Sequence, residues 1–464
     1  MNSMILTVIG GGSVNWMRNL MRDVYLIDEL EGGEIRLVDP NLEHVQAVAG
    51  MLNRFNELRG KSYRIRVMDD RQEALSGADF VMTTFSPGAM DAFWNDLELP
   101  IQYGIRQPVS MTVGPCGISA SLRTAPVAYE LVEEMERHCP GAWLLNVTNP
   151  MSVVTAAMSR AAAKTNVVGL CHEFHCLPAY LGPMLGLAKP DGMDTLDYLY
   201  RWLPEQGFEY KVAGVNHFIW LTQASLHGED MLPKLRAYCG THTELGGGDK
   251  NGSGAAASFQ NRGAVKFALC RQFGYLPLVG DRHLIEFIPS LCNQRNGWGM
   301  KYAVRKTTVD ARRFLKSEQL RHIQAVAAGT EEISWERSGE EMVEIIRAVR
   351  GGNSTPAIVN IPNRGQISNL PQGAVVETLA TVSAARGVEP VMSGELPGSV
   401  GSLCRLHSDI HELTLRAALE GSRELLIEAL SLDPLSAGAD FSELPQLADD
   451  LLLANREWLP RFFR

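Results

Sequence analysis

Met4-Ile5-Leu6-Thr7-Val8-Ile9-Gly10-Gly11-Gly12-Ser13, running on into Val14-Asn15-Trp16, is the stretch that decides the fold. Six mostly apolar, partly β-branched residues predict a buried parallel strand. Three glycines then turn the chain, and Ser13 is placed to cap a following helix. Glycines at such a turn let the backbone approach a pyrophosphate, and a helix start adds open N–H groups and partial positive charge. The match to G-x-G-x-x-G is incomplete, because Asn15 stands at the third glycine position. Context strengthens it. Glu34-Ile35-Arg36-Leu37-Val38 predicts a second strand ending at Asp39, an acid suited to the ribose hydroxyls of an adenosine. That acid repels a 2′-phosphate, so NAD is expected over NADP.

Outward from this unit the rhythm persists. Further strands are expected at residues 63–67, 79–84, 142–146 and 166–170, with helices at 41–58, 119–137 and from Pro150. Strands alternating with helices imply βαβ units and a doubly wound parallel sheet, an α/β Rossmann-like domain over residues 1–195. Ligands of such sheets lie beyond the carboxyl ends of the strands. Gly10, Gly11, Gly12, Ser13, Asp39, Ser86 and Asn146 stand at those ends and are the expected cofactor contacts. Past residue 195 the pattern changes. Residues 210–215 and 218–226 read as strands of another sheet, and 303–349, 404–431 and 441–464 read as helical. Residues 196–464 are therefore expected to form a mixed α+β domain rich in helices, together an arrangement like lactate or malate dehydrogenase. Residues 240–258, rich in Gly, Ser and Ala, read as a mobile loop, either a lid or plain surface.

The chain has 464 residues and a net charge of −10, from 43 basic and 53 acidic side chains. That balance argues against nucleic-acid or acidic-membrane partners. No run of about 18 apolar residues predicts a transmembrane helix. The start lacks a basic leader region, and the eight cysteines are scattered without framework spacing. A cytoplasmic protein with reduced thiols is expected.

Four stretches carry candidate chemistry. Thr148-Asn149-Pro150 follows one strand and opens a helix, with Pro suited to the first helical turn. Its Asn amide can reach a ribose edge or a substrate oxygen, and the tripeptide resembles the malate dehydrogenase pattern. Cys171-His172-Glu173-Phe174-His175-Cys176 sits at another strand end, too tightly spaced for a structural zinc knuckle. Val212 to Trp220 brings His217 to a strand turn, and Gly280-Asp281-Arg282-His283-Leu284-Ile285-Glu286-Phe287 clusters polar groups beside an apolar run.

GGGS at 10–13, TNP at 148–150, C-H-E at 171–173 and G-V-N-H at 214–217 together resemble glycoside hydrolase family 4, whose members depend on NAD and a metal and depart from the two-carboxylate rule of most glycosidases. Gly214 to Phe218, Gly280 to Phe287 and Asn363…Gln366…Asn369-Leu370-Pro371 are similar to its α-galacturonidase branch. The resemblance implies a recycled NAD, transient oxidation at sugar C3, loss of the C2 proton, expulsion of the leaving group and addition of water. It implies Cys171 and His217 as metal ligands, with sugar oxygens completing the shell. A thiolate and an imidazole suit zinc or iron, whereas the family implies Mn²⁺. Asn149 matches a substrate-binding position and His172 a leaving-group acid or metal-site neighbour. No Tyr base stands at 280–283, which leaves Asp281 or His283. The segment 90–96 lacks the Arg that binds a sugar phosphate in phospho-glycosidases, so a 6-phospho substrate is not expected. Arg282 could instead pair with a uronate carboxylate in a fork. The Gly-Pro-Gly-Gly of relatives reads Gly114-Pro115-Cys116-Gly117 here.

The expectation is thus an α-glycosidase acting on a small sugar substrate, an α-galacturonide foremost, in a homodimer or homotetramer. Glucuronides and neutral α-glucosides or α-galactosides are the alternatives within that family. Outside it stand a 2-hydroxy-acid dehydrogenase and a non-catalytic NAD sensor.

Overall fold

The computed structural model describes residues 3–109, 111–245 and 262–464. Its strands are β1 (Ile5–Ile9), β2 (Glu34–Val38), β3 (Arg64–Met68), β4 (Phe80–Thr83), β5 (Trp143–Asn146), β6 (Asn166–Leu170), β7 (Phe208–Val215), β8 (Phe218–Leu226), β9 (Glu229–Asp230), β10 (Leu276–Pro277), β11 (Ser354–Pro362), β12 (Val375–Ser383) and β13 (Gly387–Pro390). The first six pair in parallel in the order β3-β2-β1-β4-β5-β6. This is the doubly wound Rossmann order, with its switch point between β1 and β4.

The chain after residue 195 corrects one expectation. Its strands do not form another sheet. β11 pairs antiparallel with β6, β12 with β11, β7 with β12 and β8 with β7, so all extend the Rossmann sheet across a common edge. The physical reason is the open edge of β6. An apolar, unpaired strand flank is costly, and the nine-residue β11, buried at Ala357–Ile361, covers it.

Both faces of the parallel half are packed, as the continuous apolar strands require. In β1, Leu6 and Val8 face helices Met17–Leu26 and Leu42–Arg59, while Ile9 faces the helix Gly114–His138 side. The 404–431 region is two helices, Gly398–Glu420 and Arg423–Leu432. They break at Gly421, where φ is +69° and a Cβ would lie 2.3 Å from the Arg461 carbonyl oxygen. Ser13 does not cap the helix after the glycine turn. That helix starts at Met17, with no side-chain cap, because an extra turn intervenes in which Trp16 and Met17 donate to the Ser13 carbonyl. Among the described residues no helix is long and apolar enough to cross a membrane. Of residues 240–258, Gly240 and Thr241 end the helix Leu232–Thr241, and 246–258 lie outside the described residues.

Register fixes the site. Val38, Ile9, Thr83, Asn146 and Gly169 are successive partners across the parallel strands. The row continues through Asn360, Glu377, Gly214 and Ile219 in the antiparallel ones. One line across nine strands thus sets the glycine turn, Asp39, Cys171 and Asn216-His217 just beyond the same edge.

Candidate active site

Gly10 holds φ +90°, and a Cβ there would lie 2.6 Å from the Thr84 carbonyl carbon and oxygen. Only glycine is comfortable in that conformation and that gap. The N–H groups of Gly10 and Gly11 donate to the Val38 carbonyl, and Gly12 N–H donates to Asp39 Oδ2 at 2.9 Å. The glycine amides are therefore spent on closing the turn. The amides of Val14 and Asn15, just after it, donate to no other described residue. Asp39 is braced on its other oxygen by Asn41 N–H at 2.8 Å. A bare turn, a braced acid and two open amides fit a dinucleotide. Ser86 is exposed at the end of β4. Asn146 departs from its expected role as a cofactor contact. It is fully buried, accepts from Thr83 Oγ1 at 2.8 Å and Thr148 N–H at 2.9 Å, and donates to Thr155 Oγ1 at 3.0 Å, so it shapes the turn that presents Asn149. Asn149 accepts from Met151 N–H, and its Nδ2 donates to no described residue.

Trp16, leaving the glycine turn, meets the His172 ring at 5.3 Å between centroids. This contact joins the nucleotide side to the end of β6. His172 Nδ1 lies 3.3 Å from Glu340 Oε1. Burial alone would depress this imidazole, but Glu340 and Glu173 outweigh it and favour the protonated form.

Cys171 is buried, with the Glu173 N–H and the Asn216 amide favouring its thiolate. Burial first, then the Glu377 and Glu173 charges, push the thiol well above its usual range. Next to Asn216, His217 has Nδ1 2.6 Å from Thr112 Oγ1, while Nε2 bonds no other described residue. His217 stacks on His283, with centroids 4.3 Å apart. His283 Nε2 lies 3.4 Å from Glu173 Oε1, and its Nδ1 is buried without a hydrogen bond. Burial depresses both imidazoles, His217 far below its usual value, so both are neutral near pH 7. Glu173 places its other oxygen on Gly280 N–H at 2.7 Å.

Among the described residues, no three or more His, Cys, Asp or Glu gather as a metal cage. Cys171 and His217 nonetheless fit a cation as two donors. One offers a buried sulfur whose thiolate two nearby N–H groups favour, the other a neutral ring fixed at Nδ1 with Nε2 bonded to no described residue. A bound cation would reverse the electrostatics that now hold the thiol protonated.

Arg282 donates to Thr307 Oγ1 at 3.3 Å and feels the Glu173 and Glu286 charges. Asp281 turns out otherwise than expected. Its buried carboxylate accepts Lys266 N–H at 3.0 Å in the first turn of the helix Ala264–Phe273, so it braces that helix start. Cys116 also finds its place. Its buried thiol donates to the Asp96 carbonyl at 2.7 Å, tying helix Gly114–His138 to helix Ala89–Glu98.

Sequence reasoning missed three neighbours. Thr112 orients His217 from a loop far away in sequence. Glu173 was noted only as part of a motif, yet it pairs with His283. Glu377, the single acid in the apolar run Val375–Ser383, is buried and pushed up to about 8 by desolvation. Its Oε1 accepts from Asn216 and Asn360 at 3.1 and 3.2 Å. A lone acid on a buried strand was the available signal.

Comparison with known proteins now adds to the geometry. Residues 5–187 match the family 4 glycosyl hydrolase model, and residues 212–436 match the model of that family's C-terminal domain. The chain belongs to glycosyl hydrolase family 4. It is 33% identical to an α-galacturonidase of Lachnoclostridium phytofermentans, over 98% of this chain and 97% of that one. It is equally identical to an α-galacturonidase of Bacillus subtilis, over 96% of each. A solved structure of the Bacillus subtilis glucosidase lplD aligns with a TM-score of 0.85 at 30% identity, over 97% of this chain and 100% of that one. The same fold recurs in a 6-phospho-α-glucosidase from gut microorganisms, a complex with NAD and Mn²⁺. There the TM-score is 0.79 at 18% identity, over 98% of each chain. The protein is thus a glycoside hydrolase by family.

Proposed function

We propose that this family 4 enzyme hydrolyses α-galacturonides with NAD and Mn²⁺. The observation that carries the reading is near-full-length similarity to several α-galacturonidases at 30–33% identity. Two features of the chain support it. The segment 90–96 has no arginine for a sugar phosphate, and Arg282 stands directly beside His283.

Bound at the glycine turn and at Cys171 and His217, NAD and the cation would supply reversible hydride acceptance from sugar C3 and neutralisation of charge on O2 and O3. The chain's own residues do the rest. His283, neutral and with no hydrogen bond at its buried Nδ1, takes the C2 proton. The Glu173 carboxylate beside Nε2 stabilises the imidazolium that results. His172, with protonation favoured by Glu340, gives a proton to the leaving oxygen. Asn149 holds a sugar hydroxyl, and Arg282 pairs with the C5 carboxylate.

The test is a panel of nitrophenyl α-galacturonide, α-glucuronide and neutral α-glycosides with NAD, Mn²⁺ and reductant. Nitrophenol release from the galacturonide without net NADH, and with solvent deuterium at C2 of the product, is expected. Net NADH accumulation from a hydroxy acid would replace this reading with a dehydrogenase, and unlabelled product would exclude C2 deprotonation.

A further inference from the structure

Cys171 follows β6, and His217 sits in the turn between β7 and β8. In the sheet, β11 and β12 lie between β6 and β7. Asn360 on β11 and Glu377 on β12 are direct cross-strand partners. Their outer neighbours in the same row are Gly169 and Gly214. A Cβ on Gly169 would lie 2.9 Å from Asn360 Cβ, and one on Gly214 would lie 2.3 Å from the Phe218 carbonyl oxygen. The two glycines leave this part of the row to one amide and one acid.

Glu377, Asn360 and Asn216 are all buried. The Glu377 Oε1 accepts from Asn216 Nδ2 at 3.1 Å and from Asn360 Nδ2 at 3.2 Å. Its Oε2 is buried without a hydrogen bond, and so are the Oδ1 atoms of both asparagines. Glu341 and Glu173 both oppose its charge. An acid buried this way costs free energy. What it secures is direction. An amide carries N–H groups on one side and a carbonyl on the other, and an acceptor selects the N–H side. Glu377 thereby sets which way the Asn216 amide points. The same amide favours the Cys171 thiolate. Turned over, it would bring a carbonyl oxygen toward that sulfur instead. Asn216 also adjoins His217, whose ring Thr112 holds at Nδ1.

We propose that Glu377 is a positioning residue for the cation: its Oε1 fixes the Asn216 amide, and through that amide the approach of Cys171 and His217 to one ion. This rests on the reading of Cys171 and His217 as ligands. The acid acts by the reach of its oxygen and not by its charge.

The experiment titrates metal-free, full-length enzyme with Co²⁺, whose thiolate-to-cobalt absorption reports the bond to Cys171. NAD binding and the thermal midpoint are the controls. Glu377→Gln keeps a carbonyl oxygen at the same reach and removes the charge, so it should retain both the absorption and the affinity. Glu377→Asp keeps the charge and withdraws the oxygen by one methylene. It should weaken Co²⁺ binding by about 10- to 100-fold, the usual effect of losing an outer partner of a metal ligand, with the absorption lost in parallel. Asn360→Leu removes the other amide and should bind Co²⁺ as wild type does. The double variant Glu377→Asp, Asn216→Leu should lose no more than Asn216→Leu alone, as residues acting along one route do. Loss in Glu377→Gln with retention in Glu377→Asp would make Glu377 a counter-charge and overturn the proposal. Equal losses in Glu377→Asp and Asn360→Leu would make it a brace of the core and overturn it too. Wild type that binds Co²⁺ without thiolate absorption rejects Cys171 as a ligand and this inference with it, whereas nitrophenol release decides the galacturonidase reading separately.

Discussion

The imidazoles of His217 and His283 stack 4.3 Å apart with their planes inclined by 18°, and each is anchored through one nitrogen only. Thr112 holds His217 at Nδ1, and Glu173 stands beside His283 at Nε2. The other two nitrogens bond no described residue. In the proposed reaction one neutral ring would serve as a ligand and its neighbour as a proton acceptor.

Thr112→Val should release the His217 ring while adding no charge. Mn²⁺ affinity should fall by about 10- to 100-fold, the usual effect of losing an outer partner of a ligand histidine. Titration of free Mn²⁺ by its paramagnetic resonance signal measures it, with NAD binding as the control. Undiminished affinity would detach Thr112 from the cation.

Glu173→Gln keeps an acceptor for Gly280 N–H but removes the charge beside His283. A proton transfer supported by that carboxylate should slow, lowering kcat by about 100-fold. Glu173 raises the His283 proton affinity against burial, so its loss lets the ring stay neutral to lower pH. The acidic limb of the kcat profile should move down in pH. A profile that drops in height without shifting would assign Glu173 to packing alone.

How far the sequence led is clearest at particular residues. The run Met4–Ser13 announced its strand and turn because both faces of a central parallel strand are apolar and only glycine tolerates the Gly10 geometry. The joining of β11 to β6 was invisible, because no local pattern records which edge a distant strand will cover. Asp281 looked like a base, since a sequence does not show that Lys266 N–H lies against it.

Gly10→Ala tests the turn itself. The new Cβ would press to within 2.6 Å of the Thr84 carbonyl, at a φ that L-residues avoid. Both effects strike the β1–β4 junction, where rigid backbone cannot yield. A loss of about 2–4 kcal/mol is expected, read as a lower thermal midpoint, and NAD should no longer raise that midpoint. A variant with wild-type midpoint and NAD response would refute the tight turn.

His407 and His411 lie buried on the helix Gly398–Glu420, with His407 against the rings of Phe218 and Phe287. Burial pushes His407 down to about 4 and His411 down to about 3. Between pH 6.5 and those values the unfolded chain binds protons that the folded one refuses, so stability falls as pH falls. At pH 5 the loss is about 2 kcal/mol for each ring. The double variant His407→Phe, His411→Leu keeps the site apolar and removes both titrations. Its urea midpoint should change less than that of wild type between pH 7 and pH 5. Parallel midpoints across that interval would mean that the two rings take up protons in the folded state, and that the helix is looser than its packing against Phe218 and Phe287 implies.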